Sequence, residues 1–155
     1  MNRKLAPLGV LIILGSFVYS KVDWWTMTLT SNNTWATMLR YWAWQNAFWM
    51  LFGLTVALAY WAGAKSNRET TIISITIFVT FGLVMLSNTL DWAYFWFNTH
   101  VLPPIDQKWT WMPQSWALGF DWGTPEQVRW TIAWLLSIPL VWGVVLKYLL
   151  PKWGT

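Results

Sequence analysis

Apolar residues fall into four long runs, and most polar residues gather in the gaps between them. The first run covers residues 5–20 and continues with interfacial character toward Met27. The second lies within 35–64, with its apolar part from Tyr41; the third lies within 70–98 and the fourth within 125–150. An α-helix needs roughly 20 residues to cross about 30 Å of hydrocarbon, and each run meets or approaches that length. The pattern predicts one all-α transmembrane domain over 1–155, an integral membrane four-helix bundle with helices at 5–27, 35–64, 70–98 and 125–150.

The gaps carry start and stop signals. Ser31-Asn32-Asn33-Thr34 reads as a turn in which Asn33 or Thr34 caps the second helix, and Asn67 suits the N-cap of the third. Thr124-Pro125-Glu126-Gln127 reads as a capping box with proline at the first helical position. Pro151 and Gly154 stop the fourth helix, and 99–123 is the one long connection.

Composition agrees with lipid as the solvent. The chain is 56% hydrophobic and 10% charged, whereas soluble domains are about one-quarter charged. With no cysteine, disulfides, thiolate metal sites and cysteine nucleophiles are excluded. The net charge of +4 is dispersed, which suits topology signals better than a phosphate-binding stripe, so no nucleic-acid partner is expected. Arg3 and Lys4 before an apolar run ending in Val18-Tyr19-Ser20 also resemble a cleavable leader; the segment is taken as a membrane helix. With both termini cytoplasmic, six basic residues (Arg3, Lys4, Lys65, Arg68, Lys147, Lys152) lie inside and four (Lys21, Arg40, Lys108, Arg129) outside.

Seventeen tryptophans change the picture further. Twelve lie in or near the two connections of the outer side, and the inner boundary has little beyond Trp61 and Trp153. Simple anchoring would place indoles at both interfaces. The asymmetry predicts a Trp-rich extracytoplasmic cap that holds something. Within it, Trp109, Trp111, Trp116 and Trp122 are the candidate contacts to partner chains or lipid, in a segment stiffened by Pro103, Pro104 and Pro113. A lid over the protein's own helices is the alternative for the same segment.

The third helix carries the main candidate chemistry. Thr76, Thr80, Ser87, Asp91, Tyr94 and Asn98 fall within about a 60° arc. Such a stripe is expected to face another helix, a cavity or a bound group rather than lipid. Interhelical hydrogen bonding and a polar path are the two readings. Asp91 is the sharpest residue, with Arg40, Gln45, Asn46 and Arg129 at its depth as candidate partners. Asp91, His100 and Asp106 form a weak candidate metal set, since a single histidine gives little specificity. Gly53-xxx-Ala57 and Ala59-xxx-Gly63 suit close helix packing, and Pro139 interrupts the backbone bonding of the fourth helix. No phosphate-binding glycine loop, HExxH or usable Ser-His-Asp set is present.

Asp91-Trp92-Ala93-Tyr94-Phe95-Trp96-Phe97, followed by a Pro-containing and Trp-rich loop, resembles a stretch of the metal-binding subunit of copper membrane monooxygenases. In that subunit two histidines join the acidic residue. Here Phe95 stands at the first histidine position and no second histidine exists, so the resemblance implies a non-catalytic companion subunit. With catalytic equipment missing while outward-facing indole surface and packing motifs are abundant, the expected function is a structural or accessory subunit of a multisubunit membrane complex, of energy-transducing or oxidoreductase type. Its partners would be other integral membrane subunits and lipids. No cofactor is required by this reading. A small transporter or channel subunit using the polar stripe is the first alternative, and a redox subunit holding a metal or quinone near Asp91 and His100 is the second.

Overall fold

A computed structural model describes residues 6–29, 35–64, 67–110, 119 and 122–150, with side chains apart from those of 6, 27–29 and 35–42. The regular elements among them are helices, without a named strand: α1 (Ala6–Leu29), α2 (Trp35–Gly63), α3 (Arg68–Leu86), α4 (Thr89–Tyr94) and α5 (Thr124–Val144). Two of them end in a wider π-turn, α4 in Phe95–Thr99 and α5 in Val145–Leu149. Four stretches are long and apolar enough to cross a membrane: Pro7–Thr26, Ala43–Gly63, Arg68–Leu86 and Thr124–Leu149.

Contacts define an up-and-down order. Trp49 meets Phe81 and Trp61 meets Thr71, so α2 and α3 are antiparallel. Thr131 meets Ser87 and Trp142 meets Thr80, so α3 and α5 are antiparallel too. Ser20 near the end of α1 bonds to Ala93 and Asn98, which aligns α1 with α4. The third span is the hub: 44% of it is buried, against 17%, 17% and 11% for the other three.

The hub is tightest at Phe81, which is fully buried and ringed by Trp49 and Phe52. Gly53 makes this approach feasible, since a Cβ there would sit 2.6 Å from the Phe81 Cβ. The two small-residue pairs of α2 therefore differ. Gly53 and Ala57 face the interior, whereas Ala59 and Gly63 are exposed.

The third apolar run is two helices rather than one. After Leu86 the chain turns at Ser87 and Asn88, and Asn88 takes the left-handed conformation at φ 59°, which Asn tolerates better than most residues. Ser87 supplies local bonds that compete with helix continuation. Its hydroxyl donates to the Val84 carbonyl at 2.6 Å and accepts the Thr89 N–H at 3.2 Å. At the far end the His100 N–H reaches back to the Phe95 carbonyl, and His100 closes the π-turn at φ 56°.

The caps are partly as read. Asn67 Oδ1 accepts the Thr70 N–H at 2.9 Å. The start of α5 lies one residue earlier than expected: Gly123 is the N-cap and Glu126 Oε2 accepts its N–H at 3.0 Å. Gly123 has no side chain to return the bond, so half of a capping box remains. Thr124 is unavailable as the cap because its hydroxyl donates to the Pro104 carbonyl at 2.7 Å. Asn33 and Thr34 lie outside the described residues.

Gly53→Leu should lower stability by about 1–3 kcal/mol through overpacking against Phe81, read as a lower thermal midpoint in detergent. Gly63→Leu meets nothing within 4 Å and should leave the midpoint unchanged.

Candidate functional site: the polar seams of the third span

The predicted stripe divides between two neighbours. Thr76 donates to the Ile72 carbonyl at 2.8 Å and so closes on its own helix. Thr80 is buried, donates to the Thr76 carbonyl at 2.8 Å and accepts the Trp142 indole N–H at 3.0 Å. Ser87 offers its carbonyl to Thr131 Oγ1 at 2.7 Å. Thr131 in turn accepts the Trp92 indole N–H at 2.9 Å, and Trp130 donates to the Leu86 carbonyl at 2.7 Å. Carbonyls near the end of α3 are thus taken up by side chains of α5, as helix ends require.

Asn98 looks the other way, toward α1. Its Nδ2 donates to Ser20 Oγ at 2.8 Å, the Ser20 carbonyl at 3.1 Å and the Tyr94 carbonyl at 3.0 Å. Its Oδ1 accepts Lys21 Nζ at 3.0 Å, and the same ammonium donates to the Phe97 carbonyl at 2.7 Å. A cation here complements the partial negative charge of a helix C-terminus. Tyr94 is half-buried beyond the third span. Burial, and secondarily the Asp23 carboxylate, raises its phenol above the usual tyrosine range, so it stays neutral. Asp91 is half-buried and engaged with a partner. Among its expected partners, Gln45 is buried, Arg129 is exposed, and the Arg40 side chain lies outside the described ones.

Three grooves are lined by described residues elsewhere. One of about 400 Å³ lies between the start of α3 and Leu149. Two apolar grooves, of about 290 and 280 Å³, lie between α1 and α2. None of the three is lined by Thr76, Thr80, Ser87, Asp91, Tyr94 or Asn98. His100 and Asp106 are exposed while Asp91 is half-buried. Among the described residues no three His, Cys, Asp or Glu side chains group as a metal site.

The long connection closes on itself. Lys108 and Gly123 form an antiparallel bridge, and the Trp109 N–H bonds to the Trp122 carbonyl at 2.9 Å. Trp109 is 0% exposed. Its ring lies 4.8 Å from that of Trp92 and 5.8 Å from that of Phe95, and its indole donates to Thr124 Oγ1 at 3.0 Å. An apolar ring with one donor thus finds both its needs within the chain. Trp122 is half-buried against Trp130 at 4.9 Å. Trp111 and Trp116 lie outside the described residues.

Sequence reasoning missed an aliphatic ridge at the start of the connection. Val101, Leu102 and Ile105 are 65%, 52% and 78% exposed. Between them Pro103 is buried, and the Pro104 carbonyl accepts both Thr124 Oγ1 and the Gln107 N–H. The signal was three aliphatics flanking a proline pair, which the nearby tryptophans overshadowed. Neither a family of known proteins, nor a curated protein, nor a solved structure matches the chain.

Thr131→Val should cost about 1–3 kcal/mol, because it strands both the Trp92 N–H and the Ser87 carbonyl. Trp92→Phe should cost less hydrogen-bond energy, and the double variant should be non-additive in a detergent unfolding titration.

Proposed function

We propose that the chain is a non-catalytic accessory subunit of a multisubunit membrane complex, with both termini cytoplasmic and the long connection on the opposite side. The ridge of Val101, Leu102 and Ile105 carries this reading. It lies outside the candidate spans, yet it is exposed. A fixed apolar projection of this kind is the ordinary signature of a partner surface. The partner is another integral membrane subunit, and lipid covers the exposed faces of α1, α2 and α5. An energy-transducing or oxidoreductase complex is favoured by the resemblance of the 91–97 stretch to copper membrane monooxygenases, with Phe95 in place of a ligand. Thr80 and Ser87 bonding into α5 supports helix packing over a transport path.

Purification from native membranes in mild detergent should yield the chain with at least one other membrane protein. Leu102→Ser with Ile105→Asp should reduce recovery of that protein at least tenfold while the chain's own thermal midpoint stays within about 2 °C. A monodisperse monomer with no companion would overturn the proposal, as would ion or solute flux through the reconstituted chain alone.

A further inference from the structure

Gln127 is 0% exposed, and neither its Oε1 nor its Nε2 has a hydrogen-bond partner. Asn88 is buried as well, with its Nδ2 also unpartnered. Both lie within about one helical turn of the layer where Thr131 of α5 meets Ser87. Gln127 precedes Thr131 by four residues on α5, so the two share a face. Thr131 Oγ1 bonds to the Ser87 carbonyl, and Asn88 follows Ser87 directly. Two donors and one acceptor without partners thus belong to residues near the break in the third apolar run. Leaving such groups unpaired in an apolar interior is costly, and natural proteins rarely do so.

We propose that this layer is a binding site for water, held between Gln127 and Asn88 at the Ser87–Asn88 break. Water fits the atoms present. Its oxygen accepts from Nδ2 and Nε2, and one of its hydrogens donates to Gln127 Oε1. A direct bond between the two amides would satisfy the acceptor but leave Nε2 without one. An ion is disfavoured because the set is neutral, and a larger ligand because Gln127 is wholly enclosed. Bound water of this kind replaces backbone bonds that a broken helix forgoes.

The test is water-edited solid-state NMR on the isotopically labelled full chain in lipid bilayers. Magnetisation from water should reach the side-chain amides of Gln127 and Asn88 at short mixing times, as it does for exposed Asn67. The buried Phe81 backbone is the control and should receive none at those times. Gln127→Met keeps the length and removes the polar atoms. It should abolish the Asn88 signal and lower the thermal midpoint by about 3–6 °C. Failure of the transfer overturns the site, even if the midpoint falls, because a direct amide–amide bond would then account for the fall. An unchanged or higher midpoint in Gln127→Met overturns it as well, since relieving a truly unpaired amide stabilises.

Discussion

The architecture depends on where indole N–H groups can donate in a medium without water. Hydrocarbon offers no hydrogen bond, so every polar group in a span must be satisfied within the protein. Four indoles in the candidate spans meet this rule inside the chain, and two beyond the spans also donate within it. Trp49 and Trp130 donate to the carbonyls of Phe81 and Leu86. Trp61 and Trp142 donate to the hydroxyls of Thr71 and Thr80. Trp92 and Trp109 donate to Thr131 and Thr124. Each bond of this kind in a membrane protein contributes only about 0.6 kcal/mol on average, but each ring also brings a large packed area. The acceptors of four of them lie on α3, which is why α3 is the most buried span.

The break in the third run follows from the same economy. An interrupted helix exposes carbonyls that cannot face lipid, so Ser87–Asn88 is tolerable only beside α5, where Trp130 and Thr131 supply donors. Once the chain has turned there, α4 and its π-turn lie against α1, and Asn98 with Lys21 and Ser20 ties the two together. The connection inherits its position in turn. Trp109 stacks on Trp92 of α4, and Thr124 at the start of α5 holds both that indole and the Pro104 carbonyl. One hydroxyl thus serves the buried indole and the base of the ridge.

Much of this was legible from residues, and the illegible part has identifiable causes. Hydropathy finds spans because burial in lipid is a sum over about 20 residues, so four spans and the Asn67 cap were readable. The turn at Asn88 was not, because a single left-handed residue hardly alters a hydropathy window. Periodicity places Thr80, Ser87 and Asn98 on one face, but it says nothing of which neighbour each meets, and the break then reorients the last of them. Gly53 and Gly63 carry the same motif, and only tertiary contact distinguishes the one against Phe81. Trp109 stayed ambiguous because an indole that buries itself and one that binds a neighbour have the same composition signal.

That last ambiguity reshapes the functional argument. An excess of tryptophan invites the inference that the protein holds something at its surface, yet the described indoles that bond internally spend their only donor on their own chain. Such side chains cannot be counted as free recognition groups. The surface the proposed function relies on is chemically simpler, an aliphatic ridge of Val101, Leu102 and Ile105 braced by prolines and by Thr124, although Trp44 and Trp96 are exposed as well. Side chains with no hydrogen-bonding group recognise by shape and desolvation, and these gain affinity chiefly when the surface is already rigid. The tryptophans therefore act one step removed. By packing Trp109 against Trp92 and Thr124 they brace the segment that carries the ridge, and the proposed partner surface is a product of the indole network rather than a part of it.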